Sequence, residues 1–471
     1  MMTSLPFQIL DIQLYERPVK LRLPFRFGVV TLTDCPQAFV RVRIRTGAGR
    51  EAEGAAAELL APKWFDKNLS LSNEDNFNQL RQSLHLARQA YLSDSAARSA
   101  FEHFSAHYRD QIGIAGAQGL NPLIACYGPA LLDRALLDAL CRAHDISFYQ
   151  AVQRNLVGID TTLTPDLAGF DLNGFLASLA PSPYIALRHT VGLADAITAA
   201  DLTARVNDGL PETLDEAIDC YGCSYFKLKV SGAPDQDIAR LTAIARTLDR
   251  LSHYVVTLDG NEQFADAETA AAFWRQLRST PALKRLADAT LYIEQPFPRA
   301  ITLDTDVSKL AGSTPVLIDE ADNTLDAFVG AIDRGYTGAS SKTCKGIYKS
   351  LLNAARCRKL NEINGAHYFM SAEDLTSQAG LAVQQDLALV NLLGLTHVER
   401  NGHHYVNGFG GQGAGPTEQE AFLLAQPGLY ESSRDSVRLT VSNGLINLSS
   451  LASPGFATNA YPDWQGLQLL D

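Results

Sequence analysis

Five short apolar runs in the middle of the chain each end in a charged residue, and no other feature restricts the fold as strongly. They are Tyr225-Phe226-Lys227-Leu228-Lys229, Val255-Val256-Thr257-Leu258 before Asp259, and Leu291-Tyr292-Ile293 before Glu294. Pro315-Val316-Leu317-Ile318 before Asp319 and Gly338-Ala339-Ser340-Ser341 before Lys342 complete the series. Short runs of this kind, bounded by turn formers or polar residues, read as buried strands. Each step from Lys229 through Asp259, Glu294 and Asp319 to Lys342 is close to the ~30 residues that a strand, a crossover helix and two loops require. The segments between them have helical spacing. Ile238, Leu241, Ile244, Ala245, Leu248 and Leu251 recur on one face, and Leu325, Phe328, Val329 and Ile332 do the same ahead of a capping Gly335. The longest interval holds a helical stretch from Phe273 to Leu286. Charged residues at the C-terminal ends of consecutive strands mark the active face of a parallel barrel.

The charged residues themselves point to a reaction class. Asp259, Glu294 and Asp319 offer three oxygen donors from successive strands, the ligand type a hard divalent cation takes. Strand-end acids also cap helices or pair with cations singly, but three in succession beside lysines favour a metal. By strand alternation only one of Asp319 and Glu320 faces such an ion. Lys227 and Lys229, two apart on one strand, point to the same face. An unperturbed lysine, with a pKa of about 10.4, is a weak base at neutral pH. Mutual repulsion and a nearby metal are expected to depress the reacting amine.

Composition narrows the partners. With 471 residues and 46% hydrophobic content, the chain is long enough for one large barrel and a smaller domain. A formal net charge of −12 argues against nucleic acid or an anionic membrane as partner. No apolar run approaches a membrane span and no secretory leader pattern is present, so a cytoplasmic location is expected. Seven cysteines, irregularly spaced, argue against a disulfide framework. Cys220 and Cys223 form a C-x-x-C with no second pair, and read as small residues leading into a strand.

The ends of the chain look different. Residues 8 to 60 alternate in the manner of antiparallel sheet, with a glycine turn at Thr46-Gly47-Ala48-Gly49. Residues 70 to 112 and Ala130 to Leu140 read as helix, and barrel strands run from near Tyr184 to about residue 398. The tail is turn-rich, with a strand over Ser436–Val441 expected to close the first sheet. His403 and His404, beside a glycine-rich run, read as surface residues.

The motifs Lys227-x-Lys229, Leu258-Asp259-Gly260-Asn261, Ile293-Glu294-Gln295-Pro296, Ile318-Asp319-Glu320 and Ser341-Lys342-Thr343-Cys344-Lys345-Gly346 resemble the enolase superfamily in order and spacing. The branch is that of muconate-lactonising enzyme and mandelate racemase. The resemblance implies an α/β fold: a modified (β/α)7β, TIM-like barrel with an α+β capping domain built from both chain ends. Residues 1–125 would begin the cap, 126–400 form the barrel, and 401–471 return to the cap. It implies one Mg2+ per subunit on Asp259, Glu294 and Asp319, with Asn261 and Glu320 just behind the ion. Lys229 would be the base, Lys227 its modulator, and Lys342 the group on the opposite face; Lys345 is an alternative to Lys342. The implied chemistry is removal of a proton α to the carboxylate of a small molecule through a metal-stabilised enediolate, in a homo-oligomer. Racemisation, epimerisation or cycloisomerisation would follow; a dehydratase of acid-sugar type, or a non-catalytic metal-binding barrel, are the alternatives.

Segments 24–34 and 55–67 match the cap loops that cover the barrel mouth in that family. Phe25, Phe27 and Trp64 would supply an aromatic lid, and Arg26 and Lys63 would bind anions. Arg188, His189 and Thr190 end the first barrel strand within reach of a substrate, and His189 is the further candidate for substrate binding. The chain departs from the family after Lys345, where a Gly-Gly is missing, and near Phe369-Met370, where Glu373 and Asp374 compete for one strand-end position.

Overall fold

Alternating burial along Phe7–Phe27 (β1), Val30–Thr46 (β2) and Glu51–Leu59 (β3) makes the N-terminal region a meander with one face against a core. The computed structural model describes residues 4–470. Asn73–Ser93 (α1) and Pro122–His144 (α3) lie on the buried face of this sheet, and Ala100–Ala117 (α2) packs on both of these helices. The continuous helical stretch expected over 70–112 is thus two helices; Ser99 opens the second with a capping box that satisfies its first N–H groups. Helix α3 is buried nearly all round. Two glycines allow this: a Cβ on Gly54 would sit 2.2 Å from Ala135 O, and one on Gly128 would sit 2.2 Å from Ser83 O. The same helix also packs on the turn Thr343–Lys345 that follows Lys342, so it joins the two layers.

The larger sheet runs Tyr184–Val191 (β4), Tyr225–Lys229 (β5), Val255–Asp259 (β6), Thr290–Glu294 (β7), Val316–Ile318 (β8), Gly338–Ser341 (β9), Phe369–Ala372 (β10) and His397–Arg400 (β11). All these strands are parallel, hydrogen-bonded in the order β10-β9-β8-β7-β6-β5-β4-β11. The two ends of the series, β10 and β11, pack beside each other, so the sheet curls back on itself. This is the barrel that the motif spacing predicts, with the capping sheet that the resemblance implies. Helices Pro234–Leu248 and Ala327–Ile332 fall where the periodicity places them, and Gly335 takes a left-handed φ of 93° after the second. The stretch Phe273–Leu286 is instead a helix ending at Ser279, a 3-10 turn at Pro281–Leu283 and a short helix from Lys284, because Pro281 cannot continue the first helix.

The tail corrects one expectation. Ser436–Leu439 (β13) pairs with Tyr430–Ser433 (β12) in a separate hairpin and does not join the first sheet. Leu445–Asn447 (β14) pairs antiparallel with β4, and the strand that returns to β1 is Gln468–Leu469 (β15). Among the described residues no helix is long and apolar enough to cross a membrane.

Candidate active site

Strand alternation sends Lys227 and Lys229 into the barrel, and both are buried. Lys227 is the hub of the site. Its Nζ lies 2.9 Å from Asp259 Oδ2, 2.8 Å from Glu294 Oε2, 2.6 Å from Glu373 Oε2 and 2.9 Å from Glu399 Oε2. Burial opposes the charge on this amine, but the four carboxylates overcome it and hold its pKa well above the ordinary lysine value. Lys229 reaches Asp259 Oδ2 at 2.5 Å. On the far side of the barrel, Lys342 reaches Asp319 Oδ2 at 2.6 Å, and Ser340 Oγ donates to the other oxygen. Burial again opposes the charge on Lys342 and Asp319 outweighs it, so this pKa is also raised. Carboxylates surround Lys227 and Lys342 more closely than other cations do.

The carboxylates show the complementary behaviour. Glu294 is fully buried, and with Asp259 and Glu373 beside it its carboxyl is pushed well above the usual range. Burial also disfavours ionisation of Glu399, but Lys227, Lys229 and Lys342 outweigh it and hold that carboxyl well below the usual range. Asp259 and Glu294 share one point, the Lys227 ammonium, whereas Asp319 is held by Lys342. Among the described residues no three His, Cys, Asp or Glu side chains are gathered in a metal-holding arrangement. The donor set is nonetheless all oxygen, on three neighbouring strand ends, with an under-compensated carboxyl at Glu294. That chemistry fits a hard divalent cation, although the side chains stand as lysine-bridged pairs.

The backbone beyond these strands is held in sparsely populated conformations. Asn261, Glu262 and Gln295 have φ of 39°, 68° and 33°, and Thr376 one of 60°. Non-glycine residues in this region carry a cost of order 1–3 kcal/mol each and persist where surrounding contacts impose them. Gln295 shows how: its Oε1 accepts from Asp319 N at 2.8 Å and Ala321 N at 3.1 Å, which pins the end of β8.

Above the charged floor lies a narrow cavity. Phe25, Phe27, Leu32 and Trp64 of the cap line its upper wall; Lys229, Lys342, Asn261, Glu399 and Asn401 line the lower. Among the described residues, Trp64 Nε1, Asn261 Oδ1 and Asn401 Oδ1 are buried without hydrogen-bond partners. The expected site residues therefore separate. Lys229, Lys342, Asn261 and Trp64 meet in the cavity, while Lys227, Asp259, Glu294 and Asp319 lie beneath it. Glu320 is buried beside them, its Oε1 accepting from Asn261 Nδ2 at 3.2 Å and 3.5 Å from Lys67 Nζ. Arg26 is exposed between Phe25 and Phe27, as strand alternation dictates, and does not line the cavity. Lys63 donates to Asn68 O and Leu71 O within its own loop. Lys345 pairs with Asp322 at 2.9 Å, which leaves Lys342 as the lysine facing the cavity.

His189 sits on the other side of its strand from the barrel interior. Its Nδ1 is 3.1 Å from His403 Nε2, and its ring packs on His404. His403 and His404 are thus buried, not surface residues, because the chain after β11 folds back over β4. Inside the barrel, the neighbour of His189 matters more: Arg188 donates to Tyr292 Oη at 2.5 Å and pairs with Glu373. Glu399 is a residue that the sequence reading missed. Like the other charged residues, Glu399 stands at the end of a barrel strand, His397–Arg400.

No family model and no curated protein matches the sequence. Solved structures do match. The muconate lactonising enzyme of Mycobacterium smegmatis superposes with a TM-score of 0.62 at 17% identity, over 98% of this chain and 100% of that one. The fold is that of the muconate-lactonising and mandelate-racemase enzymes. A dipeptide epimerase from Enterococcus faecalis V583, solved with Mg and L-Leu-L-Tyr, gives 0.59 at 16% identity over 96% and 99% of the two chains. The L-Ala-D/L-Glu epimerase of Bacillus subtilis gives 0.57 at 16% identity over 95% and 98%.

Proposed function

We propose that this chain is a magnesium-dependent isomerase that removes and returns a proton at the carbon α to a substrate carboxylate. The observation that carries the reading is the placement of Lys229 and Lys342 in one cavity, on strands four steps apart in the barrel order. Four steps around a ring of eight strands is half a turn, so the two amines approach a bound molecule from opposite sides. Lys229 takes the proton from one face and Lys342 supplies one to the other, which inverts the carbon. Lys227, buried under the cavity, fixes Asp259 and Glu294 and leaves the proton chemistry to Lys229. Asp259, Glu294 and Asp319 would hold the ion, which when bound supplies the positive charge that makes the α-hydrogen acidic. The neighbours with this fold include racemases, epimerases and cycloisomerases, which supports the reaction type.

The cavity also limits the substrate. Among the described residues its upper wall is apolar and aromatic and carries no arginine or lysine, so it favours a monocarboxylate with an apolar substituent over a polyol acid. The free acceptors on Asn261 and Asn401 and the free donor on Trp64 suit one amide or hydroxyl on that substituent. The test is incubation with magnesium and a carboxylate library in deuterated water. Deuterium at the α-carbon of a recovered substrate supports the reading; a library that returns unlabelled and unconverted contradicts it.

A further inference from the structure

Arg438 on β13 is 6% exposed, yet neither Nη1 nor Nη2 has a hydrogen-bond partner among the described residues. An arginine buried without an anion is costly, since its charge has lost water and gained nothing in return. Of the acids whose fields reach it, Asp208 is clamped by Arg22 at 2.5 Å and Glu431 is exposed. Arg438 lines a second, narrow cavity whose walls include Gln378, Arg400, His403 and Val406. His403 Nδ1 is also without a partner, while its Nε2 faces His189 Nδ1. If His189 donates across that contact, His403 Nδ1 carries the proton and is a second free donor.

We infer that this cavity is a binding site for a phosphate-type oxyanion, separate from the proton-transfer site. Arg438 supplies two N–H groups in a planar fork, the geometry that matches two oxygens of one anion. Gln378 narrows the choice. Its Nε2 donates to Thr376 O at 2.6 Å, so its unpartnered Oε1 is the oxygen and needs a donor. A hydrogen phosphate or the monoanion of a phosphate monoester brings a hydroxyl for it; sulfate and carboxylate do not. The two cavities share a wall: Asp374 and Thr376 face the first, Ser377 and Gln378 the second.

Calorimetric titration and thermal unfolding at constant ionic strength test the assignment, with inorganic phosphate, glycerol phosphate, sulfate and acetate as probes. Inorganic phosphate or glycerol phosphate binds and raises the melting temperature more than sulfate or acetate does, and the tighter of the two identifies the free anion or the monoester. Arg438→Gln weakens that binding at least tenfold. In phosphate-free buffer Arg438→Met melts at or above the wild-type temperature, because it removes an uncompensated charge. Absence of binding to the wild type, retention of binding in Arg438→Gln, or a lower phosphate-free melting temperature in Arg438→Met would each overturn the proposal.

Discussion

The Lys342 ammonium lies 4.3 Å from the centroid of the Trp64 ring, so the loop after β3 covers a charged group at the end of β9. A desolvated contact of this kind contributes up to about 2 kcal/mol. Because Trp64 also offers its free Nε1 to the cavity, its removal acts on substrate and on Lys342 together. Trp64→Leu is expected to lower kcat/KM by one to two orders of magnitude, roughly 1.4–3 kcal/mol, with little change in melting temperature. Steady-state kinetics beside a thermal scan checks this, and unchanged kinetics would remove Trp64 from the site.

Metal removal tests a different part of the account. Asp259 and Glu294 converge on Lys227, and Asp319 pairs with Lys342, so an ion entering here displaces lysine contacts. Dialysis against a chelator is expected to abolish turnover, with magnesium restoring it. Asp319→Asn should bind magnesium at least tenfold more weakly, measured by calorimetry. Full turnover after exhaustive chelation would show that the carboxylates serve only as partners for the lysines.

Glu399 is expected to matter as much as the carboxylates seen first. Its Oε2 accepts from Lys227 Nζ and from Asp374 N, both at 2.9 Å, and its Oε1 accepts from Thr190 Oγ1 at 2.8 Å. Breaking one partner of a buried charged network costs about 3–5 kcal/mol. Glu399→Ala should lower the unfolding free energy by that order and reduce activity; Glu399→Gln, which keeps the shape, should lose less of both. Chemical denaturation of the two variants gives the comparison, and equal stability of Glu399→Ala and wild type would contradict it.

The histidine cluster predicts a loss of stability in acid. Burial depresses His189 to about 4 and holds His403 and His404 well below the usual value. The unfolded chain takes up protons near pH 6.5 while the folded chain does not, so stability is intact above that pH and falls as pH drops toward 4. His189 alone accounts for roughly 3 kcal/mol at 1.36 kcal/mol per unit. Melting temperature against pH should decline below about 6.5, and His189→Met should decline less steeply. Coincident pH profiles for wild type and His189→Met from pH 7 to 5 would refute the neutral, buried assignment.

A buried carboxylate on the cap predicts the opposite slope. Burial raises Glu58 to about 7 in spite of Arg134, whose Nη2 is 3.2 Å away. The folded state keeps this proton where the unfolded state has lost it, so stability declines as pH rises from about 4.5 to 7. Glu58→Gln should flatten that part of the curve in denaturant titrations at stepped pH, and an unchanged slope would show that Glu58 ionises normally.

What could be read in the sequence follows from how local each signal is. Asp259, Glu294 and Asp319 were legible because an apolar run and its terminal charge lie together in the chain, and the barrel followed from their spacing. Glu399 escaped because its strand, His397–Arg400, holds one apolar residue and gives no run to notice. Arg188 was visible beside His189, but choosing between them needs the facing of β4, which alternation alone does not set without a known inner residue. The return of the tail to the cap rests on Gln468–Leu469, two residues with no pattern, whereas Ser436–Val441 alternates well and pairs elsewhere. His403 and His404 follow a polar turn, and only tertiary packing against His189 buries them.

The most direct test of the central claim is α-hydrogen exchange by Lys229→Ala and Lys342→Ala in deuterated water, on each enantiomer of a substrate carboxylate. The account predicts that both variants lose net inversion while still binding magnesium. It also predicts that each exchanges the α-hydrogen of only one enantiomer, and of opposite ones. Full inversion by Lys342→Ala, or exchange of the same enantiomer by both variants, would contradict two opposed lysines and leave Lys229 as a single base.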